Sequence, residues 1–163
     1  MSRDRSLLIM SADDVLGFLR TQRHAVQASV TSLGLPQTAL VGVAFTDHLE
    51  IVFDTLSGTR KFANLRANPY ISFVIGGWED GNERTVQYQG IADFPNGDEL
   101  QRLQTIYFEV FPQGRTRLEW PDIAYVRVRP VWLRYSDYRR KPPVVQEIDF
   151  QVTAIFGNTP DTP

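Results

Sequence analysis

Apolar residues recur in this chain mostly at every second position, in short runs broken by Gly, Pro and Asp, a pattern that predicts strands more often than helices. Ser11-Ala-Asp-Asp14 ahead of Val15, Leu16, Phe18 and Leu19 predicts a short capped amphipathic helix. Residues 24–31 alternate as a strand, Gly34-Leu-Pro36 makes a turn, and 38–45 is a strand apolar on both faces. Asp47-His48 then turns the chain into a strand at 49–54, completing an antiparallel meander. A helix follows from about Ser57, a good N-cap residue, to Asn68, where Pro69 stops it.

Beyond that helix, 69–75 reads as a strand, 76–83 as a loop with Asp80-Gly81 turn chemistry, and 84–94 as an alternating strand in which Gly90 marks a bulge. From Asp98, the residues Leu100, Leu103, Ile106, Tyr107 and Val110 recur at helical spacing until Pro112-Gln-Gly114. Residues 123–129 and 131–135 form the last long strand or strand pair, and Lys141-Pro-Pro143 breaks the pattern again. Residues 144–150 suit a short arm or edge strand, and 157–163 look frayed. Short antiparallel strands with few helices predict a mainly β fold, a closed barrel with peripheral helices. The chain is expected to be one domain over residues 1–163, with about 141–163 as a C-terminal arm or tail.

Composition narrows the functions. A length of 163 residues, 42% hydrophobic and 22% charged, suits a globular domain, and a net charge of −2 gives no basis for bulk nucleic-acid binding. The absence of cysteine excludes disulfides, thiolate catalysis and cysteine-held metals. With two histidines in all, His24 and His48, a histidine-rich metal centre is not expected. No apolar run approaches the roughly 20 residues that span a bilayer, and Leu7–Met10 is too short for a signal-peptide core. The expected location is the cytoplasm.

Candidate chemistry concentrates in Thr55-Leu-Ser-Gly-Thr-Arg-Lys61, between an apolar strand and a helix start. Arg60 and Lys61 fall in the first helical turn, where the dipole disfavours each cation by roughly 0.3–1 kcal/mol and a bound anion reverses the sign. Free backbone N–H groups, the hydroxyls of Thr55, Ser57 and Thr59, and two cations make a phosphate cradle. The same residues also suit a solvated basic helix start with ordinary capping. His24 and His48 read as surface or turn residues, Trp78 as a loop residue over a ligand or a partner, and Trp120 and Trp132 as core or interface residues. Asp13-Asp14 belongs to a helix cap and Glu79-Asp80 to a loop, so hydrolase readings lack their parts.

The succession of strand, Gly-x-Pro turn, two strands, Thr55-x-x-x-Thr-Arg-Lys61, Asn64-Leu-Arg-Ala-Asn-Pro69 and a further strand resembles the pyridoxamine-phosphate-oxidase-like FMN-binding split β-barrels, over roughly residues 13–138. The resemblance implies an antiparallel, Greek-key-like split barrel and a homodimer with flavin at the subunit interface. It implies that Arg60, Lys61, Thr55, Thr59 and Ser57 hold the FMN phosphate and that Asp54 lies by the ribityl chain. The strand around Val41 would run along the flavin ring, with Thr85 and Gln87 near its edge and Tyr135 against it. Alanines at 39 and 44, Thr85 in place of the usual glutamine, and no histidine after His48 set the chain apart from the true oxidase. The resemblance therefore implies hydride or electron transfer through FMN on another small-molecule substrate. The alternatives are a deazaflavin-dependent reductase, with Arg115 and Arg117 for a charged tail, and a non-catalytic flavin-binding or sensing protein. With so few histidines, haem fits less well.

Overall fold

The structure is a computed structural model that describes residues 10–150. The frayed end expected at 157–163 lies outside the described residues, as does the start of the chain before Met10. In chain order the elements are α1 (Ala12–Arg20), β1 (His24–Val30), β2 (Pro36–Gly42), β3 (Ala44–Phe45), β4 (Ile51–Leu56), α2 (Arg60–Ala67), β5 (Tyr70–Gly76) and β6 (Arg84–Asp93). Then come α3 (Gly97–Val110), a 3-10 helix (Pro112–Glu119), β7 (Ile123–Asp137) and β8 (Val144–Asp149). Ser11 caps α1 through the capping box expected of it, exchanging hydrogen bonds with Asp14.

All the strands join one antiparallel sheet in the order β2-β1-β5-β6-β7-β4-β3, with β8 added on β7. The strand expected at 38–45 is two strands, because the chain kinks at Val43. The Val43 N–H still donates to the Arg23 carbonyl at 3.0 Å, while Ala44 and Phe45 cross over to pair with β4. One kinked segment thus reaches both ends of the sheet order and curls the sheet into a split barrel. Gly42, just before the kink, leaves room for the Phe111 ring, which stands 2.9 Å from where a Cβ would be.

Of the last long strand or strand pair expected at 123–135, the structure has the single long strand, β7. Residues Ile123–Val128 pair with β4 and Trp132–Asp137 with β8 on the same side, while β6 runs along the other side. Pro130 is tolerated because the register slips there: Gln89 faces Trp132 but Gly90 faces Pro130, leaving Val131 as the extra residue of a bulge. Gly90 marks this bulge as expected, and a Cβ on it would lie 2.5 Å from the Arg129 carbonyl oxygen.

Two apolar clusters hold the barrel. Inside, Ile51, Phe53, Ile75, Val86, Tyr88 and Leu133 pack together, closed at one end by Val15 and Leu19 of α1. Outside β4, Leu103, Tyr107 and Phe108 of α3 pack on Val52 and Tyr125. The turn joining β3 to β4 is held by the buried Thr46 hydroxyl, which accepts from the N–H groups of His48 and Glu50 and donates to the Glu50 carboxylate at 3.0 Å. In that turn Leu49 adopts φ 61°, a left-handed conformation that costs a non-glycine residue roughly 1–2 kcal/mol. Burial of its side chain and a 3.0 Å hydrogen bond from the Tyr88 hydroxyl to its carbonyl hold it there. Among the described residues no helix is long and apolar enough to cross a membrane.

Candidate functional site

β4 delivers the chain to the start of α2, and the side chains there form a linked set. The N-cap is Thr59 rather than Ser57: its hydroxyl accepts from the Phe62 N–H at 3.2 Å. Two hydroxyl residues flank Gly58, and the turn places the second of them at the helix mouth. Ser57 is exposed, and its N–H donates instead to the Asp122 carbonyl at 2.8 Å. Arg60 and Lys61 are the first two residues of the helix, as the sequence predicts.

The hydroxyl protons are ordered by their partners. Thr59 donates to the Leu56 carbonyl at 2.9 Å, so in the 3.1 Å contact between Thr55 and Thr59 the donor is Thr55. The Thr55 hydroxyl in turn accepts from Lys61 Nζ at 3.0 Å. Lys61 is half-buried, with its ammonium 5.9 Å from the centre of the Phe53 ring. Burial pulls its pKa below the usual lysine value, opposed by the charge of Asp54. Among the described residues neither Arg60 nor Lys61 is paired with a carboxylate. The remaining Lys61 protons, the exposed Arg60 guanidinium and the first N–H groups of α2 are thus left for an anion.

Asp54 stands apart from this set. Being next to Thr55 on a strand, its side chain projects to the other face. There it accepts from Arg117 Nε at 2.8 Å and from the Tyr107 hydroxyl at 3.0 Å, which ties β4 to α3 and to the 3-10 helix. Its carboxylate is committed to that clamp rather than to ribityl hydroxyls. Burial and the charge of Asp54 hold the Tyr107 pKa high. Arg117 serves the clamp and Arg115 stacks over Phe108 at 4.8 Å, so the pair suggested for a charged tail is otherwise engaged.

The other expected contacts are spread over the protomer. Val41 is buried in the barrel interior, so only its backbone can meet a ligand; β2 is the edge of the sheet order, with one side of its backbone unpaired to a strand. Thr85 and Gln87 lie on the outer face of β6. Cross-strand partners run Gln87, Val74, Val26, Leu40, which sets Gln87 about 14 Å from the β2 edge at the usual strand spacing. Tyr135 is buried edge-on against Phe18, eleven residues along β7 from Ala124, the partner of Thr55 (135 − 124 = 11). One protomer therefore does not bring Thr85, Gln87 and Tyr135 to the cradle. His24 packs edge-on against Phe111, and His48 stands exposed in the β3–β4 turn. Trp78 and Trp120 are exposed and Trp132 lies half-buried on the outer sheet face, so neither Trp120 nor Trp132 is a core residue.

Sequence reasoning passed over the ionic network that fixes α3. Arg127 reaches Asp93 at 2.6 Å and Glu99 at 2.7 Å, Arg129 also meets Asp93, and Arg102 pairs with Glu99 at 2.8 Å. Glu99 and Arg102 are a local i,i+3 helical pair, but Asp93, Arg127 and Arg129 come from distant strands that no local spacing could have joined to them.

A family model described as pyridoxamine 5'-phosphate oxidase matches residues 11–137. No curated protein matches the chain. Among solved structures, a heme binding protein from Mycobacterium smegmatis superposes with a TM-score of 0.72 at 17% identity, over 87% of this chain and 60% of that one. A conserved hypothetical protein from Mycobacterium tuberculosis gives 0.68 at 23% identity, over 85% and 91%. A pyridoxamine 5'-phosphate oxidase-related, FMN binding protein from Nostoc punctiforme gives 0.64 at 11% identity, over 90% and 100%. Such identities show the split-barrel fold alone. The chain spans about 60% of the length of the Mycobacterium smegmatis protein.

Proposed function

Since the chain belongs to the pyridoxamine 5'-phosphate oxidase family, we propose that it is an FMN-binding flavoprotein whose cradle of Thr55, Ser57, Thr59, Arg60 and Lys61 holds the cofactor phosphate. The observation that carries this reading is the half-buried Lys61 ammonium, oriented by a hydroxyl chain at a helix start and lacking a carboxylate partner among the described residues. A phosphate there gains charge-assisted hydrogen bonds and removes the conflict between two cations and the helix dipole. Bound FMN would supply hydride or electron transfer to a small-molecule substrate, and the chain would bind, orient and shield it. No side chain is assigned as acid or base.

We place the flavin between two copies of the chain. The outer sheet face carries a trough of about 480 Å³ lined by Val26, Ala28, Thr85, Gln87 and Trp132, and no helix covers it among the described residues. A second protomer seated on this face would bring its Thr85 and Gln87 toward the first protomer's cradle, while Tyr135, buried inside the barrel, would stay out of contact. A phosphate-bearing deazaflavin would suit the same cradle, but the engagement of Arg115 and Arg117 favours FMN. Pyridoxamine phosphate is not the substrate in this reading: Ala44 is fully buried under α3, where a basic side chain has no place.

The test is the visible spectrum of the purified protein, followed by the mass of any released chromophore. Oxidised flavin bands with the mass of FMN support the proposal; a protein that binds neither endogenous nor added FMN overturns it. Replacing Arg60 and Lys61 together by alanine should weaken FMN binding by several kcal/mol, at roughly 1.5–3 kcal/mol for each charged hydrogen bond. Steady turnover with a nicotinamide reductant separates the oxidoreductase from a flavin store or sensor.

A further inference from the structure

We propose that Asn64 is a positioning residue that makes the cradle select FMN over riboflavin, by tying the helix that holds the phosphate to the strand that meets the ring. The inference rests on the flavin reading above. Asn64 opens the stretch Asn64-Leu-Arg-Ala-Asn-Pro69, to which the cradle itself assigns no role.

α2 has little to hold it on the barrel. Of its eight residues only Asn64 and Leu65 are buried. Leu65 supplies apolar contact, which is non-directional. Asn64 supplies the direction: its amide donates one proton to the Ser29 hydroxyl at 3.1 Å and the other to the Gln37 side-chain oxygen at 2.9 Å. Ser29 of β1 and Gln37 of β2 are cross-strand partners, so one amide grips both strands of this hairpin. Asn64 and Ser29 are both buried, where hydrogen bonds are stronger than in water and costly to leave unmade.

The other anchor of α2 is on a different strand. Lys61 donates to Thr55 of β4, and Thr59 to the Leu56 carbonyl at the end of β4. Four strands separate β4 from β2 in the sheet order, so α2 bridges the two sides of the split barrel. Arg60 and Lys61 precede Asn64 by four and three residues, which puts all three on one face of the helix. The rotation of α2 that Asn64 fixes is therefore the rotation that aims the two cations.

FMN needs two grips at once, its phosphate at the start of α2 and its ring along β2 around Val41. The second grip counts in full only if the first leaves it within reach. Riboflavin carries the ring without the phosphate and has no use for the link. Loss of Asn64 should thus weaken FMN and spare riboflavin. A side chain that merely stabilised the fold would weaken both flavins together or neither.

The experiment is fluorescence titration of the natural protein, Asn64→Leu and Gln37→Leu with FMN and with riboflavin, each variant first checked for a cooperative melt by circular dichroism. Leucine at 64 keeps the bulk and loses both hydrogen bonds. Gln37→Leu removes one acceptor from the β2 side, at a half-buried position, and decides the matter alone if Asn64→Leu does not fold. The natural protein is expected to prefer FMN at least about tenfold; Asn64→Leu should lose about that factor for FMN while riboflavin stays within about twofold, and Gln37→Leu should shift in the same direction. Folded variants that keep the natural preference, or that lose both flavins alike, overturn the role of Asn64 and leave the flavin reading in place. A natural protein that binds neither flavin, or both equally, overturns the phosphate cradle and this inference with it.

Discussion

Lys61 keeps its charge in a place where much of its solvent has been removed, and this shapes how the cradle answers to pH. Its pKa in the folded chain lies below the usual value of 10.5, with burial as the main cause. The unfolded chain therefore holds the proton more tightly, and stability must rise with pH between the folded value and 10.5. Urea denaturation from neutral pH to 10.5 should show the natural protein gaining on a Lys61→Met variant across that window. A bound phosphate favours the protonated lysine, so FMN affinity should fall over the same interval. Thr55 is the second test at this scale. Thr55→Val keeps shape and strand propensity but leaves the ammonium without its acceptor, and should cost roughly 1–3 kcal/mol by chemical denaturation.

At the scale of elements, the bulge and the ionic network govern stability. Gly90→Ala drives a methyl group onto the Arg129 carbonyl and should lose about 1–3 kcal/mol, read as a lower melting temperature. Burial works to raise the Asp93 pKa, but hydrogen bonds from Arg127 and Arg129 outweigh it and leave the value lowered. Its contribution is thus present above the ordinary value of 3.8 and is lost as pH falls through the lower folded value. Asp93→Asn should flatten that part of the acid denaturation curve.

Most elements were legible because alternation and Pro or Gly stops are local signals. Ser11 and Pro69 marked the start of α1 and the end of α2, and Gly90 announced its bulge. The kink at Val43 was hidden inside an unbroken apolar run. The 3-10 helix at Pro112–Glu119 has no apolar period to betray it. In the candidate site, the order of Thr55, Thr59, Arg60 and Lys61 was readable because one turn holds them all. The loss of Asp54 was not, because its partner Arg117 is 63 residues away.

For the whole molecule, the outer sheet face decides between a protomer that stands alone and one that pairs. Val74 is 46% exposed and Leu40 66%, so a charge on either should leave the protomer folded. If two copies meet on this face, Val74→Arg should halve the mass seen by light scattering and release flavin as well. A dimer that survives both Val74→Arg and Leu40→Glu would place the contact elsewhere. The slip at Pro130 and Val131 bears on the molecule in another way. It divides β7 into a stretch clasped by β4 and one clasped by β8, with a proline that brings no amide proton to the seam. Native-state hydrogen exchange should then report two separately opening segments, the amides near β8 escaping first while those beside β4 wait for the barrel itself to come apart.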